Sequence, residues 1–458
     1  MSRKTRPYLF YDTTASVCAE CKRRVEAKIL IKDDCVYLEK WCPEHGLARS
    51  LISDDVDYYK LCREVYVKAP EMPERFNTAM KEGCPWDCGL CPDHMQHSCV
   101  SVVEITEQCN LRCPVCYAGS GPEAGRHLAM SEIEAMLDTV VANEGEADVV
   151  QISGGEPTLH PDFFAVLDAA RARPIRHLMV NTNGLRLARE PEFAARLAAY
   201  KPGIEVYLQF DSLRDAVLTE LRGATLAGIH QQALEALERH NISTTLVMTV
   251  KRGVNDGEIG EVIRHGLQWR CVRGVTLQPI EDAGRNEGFD PARHRLPLSA
   301  LRRAVAEQSG VFGLDDLLPV PCNPDTLAMA YAIRRGDQLT PLTRHIAPEV
   351  LLNGPGNTIS FDHLVNSDPA FKEKLFRLFA TNLAPEGQAS CLSDLLCCLP
   401  KIQAPDLSYE NVFRVLIVRF MDLHDLDLRA LKKSCVHMAR PEGKMIPFET
   451  WNLFYRPL

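Results

Sequence analysis

Between residues 100 and 280, short runs of apolar residues alternate with longer segments in which apolar residues recur every three or four positions. The short runs are typical of buried strands, and the longer spacing is typical of amphipathic helices. Strands are therefore predicted at 100–106, 148–153, 177–182, 205–210, 243–250 and 274–280. Helices are predicted between them, at 130–144, 162–173, 190–200, 229–240 and 257–269.

This alternation of strands and helices predicts an α/β fold with a parallel sheet. Six strands of this kind suggest an open, partial (β/α)6 barrel over residues 100–285, and a doubly wound open sheet is the alternative. In both architectures ligands bind at the carboxyl ends of the strands. Residues 286–458 have a weaker pattern and are predicted to form a mixed C-terminal region that covers the substrate.

Residues 1–70 have the pattern of a small metal-binding module. Alternating apolar residues over 26–41, interrupted by two aspartates, predict a β-hairpin. Three cysteines and one histidine, in two pairs with two residues between the partners, are the predicted ligands: Cys18, Cys21, Cys42 and His45. Such a set suits one tetrahedral ion, either zinc or a rubredoxin-like iron, and Cys35 is the alternative fourth ligand.

Residues 71–99 are rich in cysteine, proline and glycine and are predicted to form a metal-binding loop without regular structure. The stretch CPWDCGLC contains three cysteines, and a fourth follows eight residues later: Cys84, Cys88, Cys91 and Cys99. Four thiolates occupy every corner of a cubane, so an auxiliary 4Fe–4S cluster is predicted here. A four-ligand zinc site, with His94 or His97 in place of one thiolate, is the alternative.

The composition narrows the class of protein further. The 458 residues include 18 cysteines, 12 of them between Cys18 and Cys116, and the N-terminal stretch MSRKTRPYLFYD lacks the apolar segment of a secretion signal. Metal binding is thus favoured over disulfides, and a cytoplasmic location is expected. No apolar run is long enough to span a membrane. A net charge of −9 without a basic stripe argues against nucleic acid as a partner.

A second triplet, CNLRCPVC, directly follows the first predicted barrel strand, and the motif SGGEP follows the second strand. With these motifs at neighbouring strand ends, the chain resembles the radical S-adenosylmethionine superfamily, whose members share a partial (β/α) barrel. The resemblance implies that Cys109, Cys113 and Cys116 bind a 4Fe–4S cluster and leave its fourth iron to S-adenosylmethionine. An electron-transfer cluster or a zinc knuckle is the alternative interpretation of the cysteine spacing.

The resemblance also implies which residues surround S-adenosylmethionine. Val115 and Tyr117 are expected beside the cluster and the adenine ring, and Gly154, Gly155 and Glu156 are expected near the methionyl amine. Polar residues that end the later strands are candidates for binding the ribose and the carboxylate: Asn183, Gln209, Asp211 and Gln278.

Together, the motifs CPEHG, GCPWDCGLC, CNLRCPVCYA and SGGEPTLHP resemble the branch that contains tetraether lipid synthase and class D radical methyltransferases. This resemblance implies a 5′-deoxyadenosyl radical that abstracts hydrogen from an unactivated carbon, followed by formation of a C–C bond. Coupling or modification of lipid alkyl chains is the first expectation, and methylation of a pterin or another heterocycle is the alternative. A non-catalytic iron–sulfur electron carrier would explain the cysteines but not the GGEP motif.

The same resemblance implies partners and a further metal site. An electron donor such as ferredoxin or flavodoxin is expected, and a lipid substrate would bring peripheral contact with a membrane. Cys322 and Cys435 are candidate ligands of the further site. Relatives tend to carry another cysteine after a Pro-Phe pair near the C-terminus, and this chain has Glu449 at that position.

Overall fold

The structure is a computed structural model that describes residues 6–66, 69, 71–320, 322–335, 338–344, 348 and 411–456. Two large sheets organise these residues, a four-stranded sheet at the N-terminus and a twelve-stranded sheet that follows it. Residues 349–410 of the predicted C-terminal region lie outside the described residues.

The N-terminal sheet is an antiparallel meander of β1 (Leu9–Val17), β2 (Arg24–Lys32), β3 (Cys35–Cys42) and β4 (Gly46–Ser53). Asp33 and Asp34 both adopt left-handed backbone angles, with φ of 51° and 55°, as a tight two-residue hairpin turn requires. The predicted hairpin is therefore confirmed. Helix α1 (Val56–Glu64) follows, and the carboxylate of Asp55 caps it by accepting a hydrogen bond from the Tyr58 N–H at 2.9 Å.

All six predicted barrel strands are present, together with one short strand in the loop after the first. They are β5 (Val100–Thr106), β6 (Val115–Cys116), β7 (Ala147–Gly154), β8 (Ile175–Thr182), β9 (Ile204–Gln209), β10 (Thr244–Val250) and β11 (Val272–Pro279). Apart from β6, each strand is parallel to its neighbour, in the order β5-β7-β8-β9-β10-β11. Their residues are nearly all buried, as expected for a parallel sheet with both faces covered.

The helices between the strands bury apolar faces against the sheet. They are α2 (Met130–Glu144), α3 (Phe163–Arg171), α4 (Leu185–Arg189), α5 (Pro191–Ala198), α6 (Asp215–Arg222), α7 (Ala227–Arg239) and α8 (Ile259–Leu267). Later helices are α9 (Pro291–His294), α10 (Leu298–Gln308), α11 (Leu428–Leu431) and α12 (Phe448–Thr450). None of the helices in the described part of the chain is both long and apolar enough to cross a bilayer.

The C-terminal region extends both edges of the barrel sheet, which the sequence pattern does not predict. Its strands are β12 (Arg285–Asn286), β13 (Leu318–Pro319), β14 (Leu327–Arg335), β15 (Gln338–Pro341), β16 (Val412–Val418), β17 (Val436–Ala439) and β18 (Met445–Pro447). Strand β16 is parallel to β11 and β17 is parallel to β5, so eight parallel strands form the centre of the sheet. Among the described strands, no pairing joins β13 at one end to β18 at the other.

A buried ion pair connects β16 to the predicted barrel. Arg414 on β16 and Glu205 on β9 are only 4% and 2% exposed, and the guanidinium donates to Oε1 of Glu205 at 3.3 Å. Burial by itself raises the pKa of Glu205, but Arg414 and the nearby His177 more than offset this and bring the pKa to about 2. The carboxylate therefore stays charged inside the sheet, and Arg414 is needed to balance it.

We expect the substitution Arg414→Met to lower the free energy of unfolding by about 3–5 kcal/mol, because it leaves a buried carboxylate without its cation. Denaturant unfolding of the anoxic protein measures this. Arg126→Met is the matched control: the side chain of Arg126 is 59% exposed in its pair with Glu132, so the change should be below about 1 kcal/mol. Equal losses in the two variants would contradict the role given to the buried pair.

Candidate active site and metal centres

A cavity opens at the carboxyl ends of the parallel strands and contains about 1290 Å³ of empty space, its open mouth included. Nearly all residues predicted for the second cysteine triplet and the S-adenosylmethionine site line it: Cys109, Cys113, Cys116, Val115, Tyr117, Gly154, Gly155, Glu156, Asn183, Gln209 and Gln278. Asp211 differs from the prediction, because it is fully buried behind the cavity wall and does not line the cavity. The second cysteine triplet and the GGEP motif thus face one common space.

The two glycines of GGEP lie directly against the backbone of the loop that carries the cysteines. A Cβ at Gly154 would overlap the carbonyl oxygen of Thr106, and a Cβ at Gly155 would overlap that of Gln108. Because neither glycine has a Cβ atom, the two backbones approach closely enough to form hydrogen bonds. Gly155 N–H donates to Thr106 O at 2.8 Å, and Glu156 N–H donates to Gln108 O at 2.9 Å. The glycines are therefore required for the position of the cysteine loop.

Glu156 lines the cavity but uses its carboxylate within the protein. It accepts hydrogen bonds from the Thr158 hydroxyl at 2.6 Å, the Thr182 hydroxyl at 2.7 Å and the Asn183 N–H at 2.8 Å. Burial raises the pKa of Glu156, and these donors oppose that rise. Asn183 in turn donates to the Asn110 side chain at 2.7 Å, so Glu156 fixes the end of β8 against the cysteine loop.

Arg222 is a cavity residue that the sequence analysis missed. Its guanidinium donates to the Asp211 carboxylate at 2.8 Å and to the Gln209 side chain at 3.0 Å. Burial raises the pKa of the Cys113 thiol, and the positive charge of Arg222 opposes this rise. Asp211 thus holds the guanidinium of Arg222, which lines the cavity. This places a positively charged group next to the second cysteine triplet. An arginine at the end of a helix carries no recognisable motif, so the sequence gives no signal for it.

The segment after β11 holds the cysteine loop from the opposite side. Arg285 donates to the carbonyl oxygen of Cys113 at 2.6 Å and to that of Ser120 at 2.7 Å, while β12 pairs with β6. Gly284 has a φ of +63°, and a Cβ there would overlap the carbonyl oxygens of Cys116 and Tyr117. This contact lies at the predicted end of the barrel, where the sequence shows only a glycine followed by an arginine.

The first triplet gathers at the C-terminal strands. The thiol of Cys88 is buried 2.9 Å from the Thr450 hydroxyl and forms a hydrogen bond with Cys84, which lowers the pKa of Cys84. Burial raises the pKa of Cys91, and the nearby Cys84 adds to the rise. Cys84 and Cys88 thus interact directly, but the sulfur atoms of Cys84, Cys88 and Cys91, three members of the predicted auxiliary set, are not all within 4.8 Å of one another.

The fourth predicted member of that set, Cys99, lies in a different group, which corrects the assignment to the first triplet. The sulfur atoms of Cys99, Cys322 and Cys435 all lie within 4.8 Å of one another, and those of Cys322 and Cys435 are 3.6 Å apart. The cause is the pairing of β5 with β17, because Val100 N–H donates to Cys435 O at 3.1 Å and brings the residues before both strands together.

His97 lies beside this group, next to Cys99, but its ring nitrogens are not within 4.8 Å of all three sulfur atoms. Its Nε2 lies 3.7 Å from the sulfur of Cys99, and its Nδ1 lies 2.9 Å from the Glu144 carboxylate. A carboxylate that accepts a hydrogen bond from the second ring nitrogen is typical of metal-binding histidines. The three cysteines are close enough to bind a single ion, and His97 lies nearest to Cys99 of the three.

The N-terminal group has the predicted composition. Cys18, Cys21, Cys42 and His45 place one ligand atom each within 4.8 Å of all the others. The sulfurs of Cys21 and Cys42 are 3.8 Å apart, and Nδ1 of His45 is 3.6 Å from the sulfurs of both Cys18 and Cys42. These separations match a tetrahedral ion with bonds of about 2.3 Å to sulfur and about 2.0 Å to nitrogen. Cys35 is not part of the group.

The donor sets thus fit the metals that the sequence implied. Three thiols of the second triplet line a cavity with room for a ligand, as a cluster that binds S-adenosylmethionine requires. Two further groups, Cys18 with Cys21, Cys42 and His45, and Cys99 with Cys322 and Cys435 (the Cys99 group), offer the donor types of zinc or iron sites.

Two parts of the chain match known families. Residues 103–266 match the model of the Radical SAM superfamily, and residues 10–54 match that of the HMPTM N-terminal zinc ribbon domain. These residues form a radical S-adenosylmethionine domain preceded by a zinc ribbon. The predicted superfamily, its 4Fe–4S cluster and its use of S-adenosylmethionine are thereby confirmed.

Individual proteins and one solved structure are also similar to this chain. The chain is similar to the 7,8-dihydro-6-hydroxymethylpterin dimethyltransferase of Methanocaldococcus jannaschii, with 28% identity over 97% of this chain and 94% of that protein. The GTP 3′,8-cyclase of Chlorobaculum tepidum is 30% identical over 42% of this chain and 59% of that protein. Among solved structures, Streptococcus suis SuiB bound to S-adenosylmethionine shares 18% identity with a TM-score of 0.38, over 45% of this chain and 46% of that chain.

We expect Cys322→Ala, Cys99→Ala and Cys435→Ala each to remove the same metal from the purified protein, because the three thiols lie within one coordination sphere. Zinc, iron and acid-labile sulfide per chain are the measured quantities. Cys271→Ala is the control, since Cys271 is fully buried but lies outside both metal groups. Unchanged metal content in all three variants would show that the group binds none.

Gly284→Ala should prevent stable binding of the iron–sulfur cluster, because its new methyl group would displace the carbonyl oxygens of Cys116 and Tyr117. Iron content after anoxic reconstitution measures the effect. Gly288→Ala is matched for backbone strain, with a φ of +69°, but has nothing within 4 Å of the new methyl group. It should therefore keep its iron. Loss of iron in both variants would point to backbone strain instead of the contact with the cysteine loop.

Proposed function

We propose that this protein is a radical S-adenosylmethionine methyltransferase that acts on a pterin or a closely similar heterocycle. The observation that carries the proposal is the similarity to a pterin dimethyltransferase over 97% of this chain. It extends across the ribbon, the barrel and the C-terminal region. It favours methylation of a pterin over the coupling of lipid alkyl chains, which the sequence motifs alone put first.

The shape of the cavity supports a flat aromatic substrate. Tyr117, Phe420 and Phe448 line it beyond the second triplet, and the ring centres of Phe420 and Phe448 are 4.1 Å apart. The ring of Tyr117 lies 5.0 Å from that of Phe448. Aromatic side chains bind planar rings through stacking and edge contacts. Cofactor cysteines and a wall for a heterocycle therefore share one enclosed space.

Each part of the chain has a distinct task in this proposal. Cys109, Cys113 and Cys116 would hold the cluster, which supplies when bound the electron that breaks a carbon–sulfur bond of S-adenosylmethionine. Glu156 keeps Asn183 against the cysteine loop, and Arg222 provides positive charge for a carboxylate beside Cys113. The aromatic wall, of which Phe448 is buried and Tyr117 and Phe420 are half-buried, would keep water away from the reacting carbon.

The proposal includes a one-electron donor such as ferredoxin or flavodoxin, because each cleavage consumes one electron. The N-terminal zinc ribbon is given a structural task, since a tetrahedral ion of this type stabilises a small sheet. The Cys99 group lies between β5 and β17, where a metal ion would join the C-terminal strands to the barrel.

The test is anoxic turnover with dithionite, 6-hydroxymethyl-7,8-dihydropterin, excess S-adenosylmethionine and a reduced folate, so that a methyl donor is present whether the methyl group comes from a second molecule of S-adenosylmethionine or from the one-carbon unit of the folate. We expect 5′-deoxyadenosine and a pterin whose mass has increased by one or two methyl groups. Cys113→Ala should abolish both products, because two thiolates do not hold a cubane with one open iron. Cys271→Ala is the control, as it removes a buried thiol far from the second triplet.

Two results would contradict this prediction in different ways. Formation of 5′-deoxyadenosine without any change in the pterin would refute the substrate but keep the radical chemistry. Absence of 5′-deoxyadenosine in the reconstituted wild-type protein would favour a non-catalytic electron carrier.

A further inference from the structure

The cavity wall contains a carboxyl group that no neighbour satisfies. Glu281 lies two residues after β11 and lines the same cavity as Phe420 and Phe448. Its Oε2 atom is buried, and among the described residues no hydrogen-bond donor contacts it. A buried polar atom without a partner is costly, and such atoms are uncommon in folded proteins unless a ligand or water satisfies them.

The charges around Glu281 do not explain it as part of a structural ion pair. Burial raises its pKa, and the carboxyl groups of Asp422 and Glu449 raise it further. Arg419 opposes the rise, but its guanidinium is hydrogen-bonded to Asp425. Arg295, the other nearby cation, is paired with Asp422 at 3.2 Å. The cations of this region are therefore used by other carboxylates.

The neighbouring polar side chains of the cavity have partners of their own. Gln209 donates to the Asn181 side chain at 2.7 Å, and Gln278 donates to the Tyr207 hydroxyl at 3.1 Å. Glu281 differs from both because a buried acceptor atom is left for a ligand. Its position next to the aromatic wall indicates a ligand that is both flat and rich in N–H donors.

We infer that Glu281 is a specificity-determining residue whose carboxyl group is ionised in the complex, with its proton released to water, and accepts two hydrogen bonds from a ring N–H and an adjacent amino group of the substrate. The inference rests on the proposed function and deepens it. The pyrimidinone ring of a pterin presents these two donors side by side, at a spacing that matches the two oxygens of one carboxylate, as in an arginine–carboxylate pair. Phe420 and Phe448 would contact the face or edge of the same ring.

The test measures binding without turnover. Holoenzyme is titrated under anoxic conditions, in the presence of methionine and 5′-deoxyadenosine, with fluorescent 6-hydroxymethylpterin and with its analogue that lacks the 2-amino group. Wild-type protein should prefer the amino compound. Glu281→Gln should weaken binding of that compound by about 100-fold, because an amide presents only one acceptor and places a donor against a donor. Glu281→Asp should give an intermediate loss.

Controls separate this inference from a folding defect. Glu287→Gln changes an exposed carboxyl group of the same segment and should bind the pterin as wild type does. Glu281→Gln should keep the iron and acid-labile sulfide content per chain of the wild-type protein, which shows that the cluster site and the barrel are intact.

The outcomes distinguish the two proposals. Equal affinity of wild type and Glu281→Gln for the pterin would overturn the role of Glu281 while the proposed function stands. Equal losses for both compounds in Glu281→Gln would likewise overturn it, because recognition of the amino group would not be involved. Failure of wild-type protein to bind either compound would overturn the proposed substrate and this inference together.

Discussion

The candidate active site depends on one close contact between two stretches of backbone. Gly154 and Gly155, at the end of β7, lie against the carbonyl groups of Thr106 and Gln108, with no space for a side chain between them. Hydrogen bonds between the same backbones then fix where the cysteine loop begins. A glycine pair is the chemical requirement for this contact, since any other residue would push the loop away from the sheet.

The rest of the loop is held by contacts that start from this one. Glu156 follows the glycine pair and binds the end of β8, whose Asn183 reaches the side chain of Asn110. From the far side, Arg285 binds two carbonyl groups of the loop. The loop that carries the second triplet is thereby held by contacts on both sides. Preorganisation of this kind reduces the entropy that cofactor binding must offset.

Local sequence patterns made the barrel strands and the N-terminal sheet predictable. The pairing between strands that are far apart in the sequence could not be predicted from such patterns. The strands from β5 to β11 and the hairpin at Asp33–Asp34 are encoded by runs of neighbouring residues, so periodicity identifies them. The helix predicted at 130–144 is present as α2 (Met130–Glu144), and at its start the Glu132 carboxylate accepts a hydrogen bond from the Ala129 N–H.

Cys99 shows why the ligands of one metal site could not be predicted from the sequence. Cys99 is close in sequence to the first triplet, but β17 brings Cys435 to it from more than three hundred residues away. The same holds for Arg222 and Glu281, which become site residues only because β9, β10 and β11 lie side by side. Spacing within a motif reveals the ligands of a local site, and it carries no information about partners that tertiary pairing supplies.

The charges around the cavity divide it into two halves with different preferences. Arg222 and Arg285 lie beside the second triplet, where a cluster with three thiolates and the carboxylate of S-adenosylmethionine bring negative charge. Around Glu281 the order is reversed, because Asp422 and Glu449 add acidic groups and burial raises the pKa of Glu449 to about 7. A donor-rich, uncharged heterocycle is favoured in the acidic half and gains nothing in the cationic half. The two ligands of the proposed reaction would therefore be sorted by charge before they meet.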